Sequence, residues 1–143
     1  VFGNSVTMTN TTLIANTAGI GGAVYQWNAQ TGRYVNVLFA GNSATGNGKA
    51  LYLVTSGAVQ ILHSTIASST LVSGSAIYAN GGAVGITNTV IASHTVGIQQ
   101  VAGTVNENYN LFSTVTTPYV GAITSGGNLD TILTESFSGT VSC

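Results

Sequence analysis

The chain has 143 residues and a formal net charge of −1; only 3% of its residues are charged, while 44% are apolar. That apolar share can supply one domain with a core and argues against disorder, and two basic residues cannot build a phosphate-binding stripe, which excludes nucleic acid as a partner. No stretch approaches the ~18 consecutive apolar residues of a membrane helix, so no membrane span is expected in this chain.

Solubility must come from Thr, Ser, Asn and Gly, the palette of secreted and cell-surface β-proteins. So small a net charge gives little colloidal repulsion and makes self-association easy. No basic, apolar-cored leader opens the chain, which reads as a mature protein or as a piece of a longer one.

Taken in order, Phe2-Gly3-Asn4-Ser5 echoes Phe39-Ala40-Gly41-Asn42-Ser43 with one residue missing, as if a repeat were entered partway. A first rung spans Val6 to Tyr25. Val6, Met8 and Leu13 are apolar, and Thr7, Thr9 and Thr11 alternate with them or with asparagine. Alternation of this kind marks a strand with one buried face. Asn, Gly and Ser interrupt it, because they tolerate the left-handed backbone of sharp corners. A second rung spans about Gly32 to Tyr52 and a third about Val59 to Tyr78. A fourth starts near Val84-Gly85-Ile86 and loses about four residues between Ile91 and Gly97-Ile98-Gln99. A fifth, poorer rung uses Val105, Asn108, Leu111 and Phe112. From Ser113 the pattern fades, and Pro118, the only proline, cannot donate into a ladder. The expected organisation is residues 1–112 as coils and 113–143 as an irregular cap or partial rung.

Two phrases keep one beat through these rungs. The first reads Gly21-Gly22-Ala23-Val24-Tyr25, Gly48-Lys49-Ala50-Leu51-Tyr52 and Gly74-Ser75-Ala76-Ile77-Tyr78, its tyrosines 27 and then 26 residues apart. The second runs Asn10–Leu13–Asn16, Asn36–Phe39–Asn42, His63–Ile66–Ser69 and Asn88–Ile91–His94. Phrases locked to one period imply one unit stacked on copies of itself. No window keeps a helical stripe of good helix formers. The expected fold is therefore an all-β parallel β-helix, a solenoid of about five rungs with about 26 residues each. Leu13, Phe39, Ile66 and Ile91 form its repeated core. Ala23, Ala50 and Ala76 face inward where the cross-section is narrow, and Val24, Leu51 and Ile77, or their tyrosine neighbours, take the other face. Asn10, Asn36, His63 and Asn88 stack as a ladder at one corner and satisfy backbone groups that the bend leaves unpaired. Tyr25, Tyr52 and Tyr78 form either an exposed stripe for sugars or, the preferred reading, a half-buried stack between coils.

The Gly-Gly-Ala-Val phrase at 21–24 and the Phe-x-x-Asn phrase at 39–42 resemble the two motifs of the polymorphic outer-membrane-protein repeats. The same phrases recur in secreted bacterial right-handed parallel β-helix repeat proteins. The resemblance covers about residues 2–112. Leu13 stands in place of Phe, Ser69 and His94 in place of Asn, and the glycine pair becomes Gly-Lys or Gly-Ser. The resemblance implies a right-handed coil, a secreted or surface-exposed rod used in adhesion or as a passenger or stalk, and no catalytic residues.

Candidate chemistry is sparse. His63 and His94 occupy different repeat positions and have no Cys or carboxylate at metal spacing, so both read as structural corner residues and no metal or cofactor is expected. Residues 6–99 contain no Asp or Glu, whereas cleavage of polysaccharides needs clustered carboxylates. Glu107, Asp130 and Glu135 are the only acids left for such an enzyme, and no Gly-x-Ser-x-Gly elbow occurs. The threonines at 7, 9, 11, 87 and 89 suggest an ice-binding array, but Arg33, Val35, Gln60 and Leu62 interrupt it. Asn10-Thr11-Thr12 is the one glycosylation sequon, at an asparagine the ladder needs. Cys143, the sole cysteine, reads as an incidental thiol at a segment boundary or as a link between chains. The leading expectation is a non-enzymatic extracellular structural protein, a surface rod or filament subunit whose partner is itself. The alternative is an adhesin-type module holding glycan or host protein through Trp27 and Arg33. A polysaccharide-active enzyme ranks third.

Overall fold

The computed structural model describes residues 5–126 and 131–133. Every described element is a strand and every pairing is parallel. The chain winds as a parallel β-solenoid of about five turns. Three faces recur. Face A begins with β1 (Ser5–Thr9), and face B with β2 (Thr12–Ile14). After the short β3 (Thr17–Ala18), β4 (Val24–Val35) supplies face C with its first half and turns into face A of the next coil with its second. The second coil continues through β5 (Leu38–Ala40), β6 (Ser43–Ala44) and β7 (Leu51–Leu62). Coils three and four are carried by β8 (Thr65–Thr87) and β9 (Val90–Asn108). Then β10 (Leu111–Val120), β11 (Ile123–Ser125) and β12 (Thr131–Leu133) pair onto β9 or β10. Parallel pairing thus runs past residue 112. Residues 127–130 and 134–143, with Asp130, Glu135 and Cys143, lie outside the described residues.

The register follows the repeated phrases. Leu13 lies beside Phe39, Phe39 beside Ile66, Ile66 beside Ile91 and Ile91 beside Phe112. These steps are 26, 27, 25 and 21 residues. The shorter step follows from coil three, which carries four residues more than coil four between Ala67 and Ser75. Three of the four extra residues lie between Ala67 and Val72 and one between Val72 and Ser75. Phe39, Ile66, Ile91 and Phe112 are buried. Each such side chain taken from water contributes about 1.5–3 kcal/mol.

Corners are made by residues with left-handed backbone. Asn10, Asn36, His63, Asn88 and Tyr109 turn face A into face B with φ between 50° and 55°. Asparagine adopts this conformation more readily than most side chains. The fifth member is Tyr109, not Asn108, which ends β9 instead. A glycine with positive φ opens each Gly-x-Ala phrase, at Gly21, Gly48 and Gly74. At Gly48 a Cβ would lie 2.3 Å from the Leu51 carbonyl oxygen, so only glycine fits. In coil four Gly97 takes the place of Ala76 one residue before the Ile77–Ile98 pair, since a Cβ there would come within 2.8 Å of the Phe112 ring.

Ala50 and Ala76 are buried, and so are Val24, Leu51 and Ile77. Alanine and aliphatic neighbour therefore both face the core as the chain rounds the narrow corner. Tyr25, Tyr52 and Tyr78 turn to the outer side of face C, as does Trp27 beside Tyr25.

Candidate functional site

Four places bring together residues with chemistry. The first is the corner between faces A and B. Asn36 Nδ2 donates to Asn10 Oδ1 at 2.8 Å, and His63 and Asn88 continue the same column on the surface. The backbone N–H groups of all four bond to carbonyls of the following coil. The buried groups of the bend are met by the next column, one residue on. Ser64 Oγ accepts Val37 N–H at 3.1 Å and donates to Leu62 O at 2.9 Å. Thr89 N–H donates to Asn110 Oδ1 at 2.9 Å, and Thr89 Oγ1 donates to Thr87 O. Sequence reading gave this job to the exposed column because asparagine dominates there. The inner column changes its residue type in every coil (Thr11, Val37, Ser64, Thr89, Asn110), which hides it from a motif search.

The second place is the interior of the solenoid. Tyr34 Oη donates to Gln26 Oε1 at 2.6 Å, and both residues are fully buried. Burial pushes the Tyr34 phenol far above its ordinary range. Gly32 makes room for this pair, since a Cβ there would sit 2.7 Å from Gln26 Oε1. His94 is also buried. It lies beside Val72 and Val115, and its Nδ1–H donates to Ala92 O at 2.8 Å. Burial holds its pKa below the ordinary value, the Ala92 bond opposes that shift, and the charge of Lys49 adds to it. Lys49 is itself buried and donates from Nζ to Ala44 O at 2.6 Å. His63 is exposed at a corner and His94 is inside, so the two histidines are not brought together. No cluster of three metal-ligating side chains occurs among the described residues.

The third place is the outer surface of face C. Tyr25, Tyr52 and Tyr78 stand in vertical register. Tyr52 and Tyr78 stack at 4.6 Å and 15°, and Tyr25 meets Tyr52 edge-on at 5.5 Å. Trp27, 45% exposed, leans on Tyr25 at 5.9 Å. Rings packed on one another offer little ring face to a sugar, so the stack joins coils and leaves Trp27 as the exposed aromatic of face C. Arg33 is exposed on face A, around the corner at Asn28, so Trp27 and Arg33 lie on different faces.

The fourth place, which sequence reading did not anticipate, is a groove of about 390 Å³ on face A. Outward positions there form the column Thr7, Arg33, Gln60, Gly85, Asn106 and Thr124. Gly85 leaves a dip between Gln60 and Asn106, and the small Ala58 and Ala83 widen it. Arg33 and Gln60 at the Thr7 position, and Val35 and Leu62 at the Thr9 position, break any threonine array. Glu107 turns away from this surface. It is 2% exposed, and its Oε2 accepts a bond from Asn110 Nδ2 at 2.9 Å.

No family model matches the chain, and no curated protein and no solved structure matches it.

Proposed function

We propose that this chain is a non-enzymatic structural protein of the extracellular or cell surface, a β-helical rod that joins copies of itself end to end. The observation that carries the reading is the repeat itself: the column Leu13, Phe39, Ile66, Ile91 and Phe112 runs in parallel register from coil to coil, so each coil is built to cover the next. A copy that offers the same register can continue such a ladder. Only 3% of the residues are charged, so little repulsion opposes that stacking.

The likeness of the Gly-Gly-Ala-Val and Phe-x-x-Asn phrases to polymorphic outer-membrane-protein repeats supports a surface setting and a right-handed coil. The inward turn of Glu107 supports a structural role over a catalytic one. Light scattering at several concentrations tests the reading: mass should grow with concentration, and Ile14→Lys, which puts a charge at an exposed apolar position of β2, should reduce that growth. A monomer of constant mass over the whole range overturns it.

A further inference from the structure

The groove on face A is a binding site, and we infer that it takes a neutral, hydroxyl-rich oligosaccharide lying along the solenoid axis. The inference does not rest on assembly, because the groove lies on the outer flank of face A, from Gln60 to Thr124.

The floor comes first. Ala58, Ala83 and Gly85 are neighbours on adjacent coils and project almost nothing outward, which leaves a flat, weakly apolar surface. Such a floor suits the C–H face of a sugar ring. Adjacent coils are spaced by about 4.8 Å, so the span from Gln60 across Gly85 to Asn106 is about 10 Å and Thr124 adds one more step. The site is therefore elongated along the axis and long enough for more than one ring. Its volume falls within the range of small-ligand sites.

The walls set the chemistry. Gln60, Asn106 and Asn108 each offer an amide that both donates and accepts, and Thr87 and Thr124 add hydroxyls. Asn108 Oδ1 is buried at the rim and has no hydrogen-bond partner among the described residues. A ligand rich in hydroxyl groups matches donors and acceptors that alternate at this spacing. The one acid in the lining, Glu107, turns its side chain into the coil, and Arg33 stands one coil outside the groove. Among the described residues a charged ligand would thus find no counter-charge within it. Strands β7, β8 and β9, which carry Gln60, Gly85 and Asn106, are paired on both sides, so a peptide finds no free strand edge along them.

The test uses the full chain labelled with nitrogen-15 and titrated with the neutral tetrasaccharides cellotetraose, maltotetraose and laminaritetraose, and separately with tetragalacturonate. At least one neutral probe should shift the side-chain amide signals of Gln60, Asn106 and Asn108 saturably at concentrations up to about 10 mM. Asn106→Ala, at an exposed position, should weaken that binding by about fivefold through the lost hydrogen bonds. Gly85→Thr should abolish it by filling the floor. A Cβ at 85 meets only the flexible end of Gln60, so this variant keeps its fold, which the melting curve checks. Three results overturn the inference: no shift of these amides with any neutral probe, binding of the acidic probe alone, or unchanged affinity in Gly85→Thr.

Discussion

Replacing Ser64 with alanine tests how the bends are stabilised. Ser64 Oγ accepts the N–H of Val37, a residue 1% exposed, so truncation strands a buried donor. It also removes the bond to Leu62 O, but that carbonyl still accepts Asn36 N–H at 3.0 Å. The loss therefore comes mainly from the stranded Val37 N–H, and a buried donor without a partner costs about 1–3 kcal/mol. We expect a destabilisation of about 2 kcal/mol, which at a urea m-value of about 2 kcal/mol/M lowers the midpoint by about 1 M. Ser64→Thr keeps the hydroxyl, as Thr89 does in the next coil, and should stay within about 0.5 kcal/mol of the parent. Urea unfolding followed by circular dichroism reads both variants. If Ser64→Ala also stays within that margin, the buried hydroxyl column is not what satisfies the bend.

Three further outcomes follow from the interior. Tyr34→Phe leaves Gln26 Oε1 without its buried donor and should cost about 1–3 kcal/mol by chemical denaturation; adding Gln26→Met should recover part of it. Gly97→Val drives a side chain toward Phe112 and the Pro118 carbonyl, and should lower stability by about 1–3 kcal/mol, whereas Gly85→Thr on the open face should cost far less. His94 has a folded pKa below its unfolded value of about 6.5, so the unfolded chain takes up the proton first. Its contribution is complete above that value and is lost as pH falls from there toward the folded pKa. Melting curves between pH 7 and 5 should show a falling midpoint, and His94→Leu should flatten the slope in that window.

Much of this architecture was legible because a repeat states its own register. The tyrosines at 25, 52 and 78, and the apolar residues at 13, 39, 66 and 91, stand above one another as their spacing requires. Even the shortened fourth coil could be counted. Less legible was anything that depends on which side of a strand a residue takes at a corner. Ala50 and Leu51 are adjacent yet both buried, because the left-handed Gly48 turns the chain just before them. The groove on face A could not be read either. It arises from the side chain that Gly85 lacks, set between two coils whose alignment depends on the extra residues between Ala67 and Ser75. The chemistry-bearing residues that sequence reading singled out, Trp27 and Arg33, are both exposed but on different faces. The amides at 60, 106 and 108 drew no notice, because an amide in a Thr- and Asn-rich chain carries no motif.

The most direct measurement is X-ray diffraction from a concentrated, aligned specimen of the full chain. If copies add coil upon coil, the fibre should give a reflection near 4.8 Å along its long axis, with strands perpendicular to that axis. Particles that stay single at all concentrations, or the same spacing found across the fibre instead of along it, would contradict growth by stacking of coils.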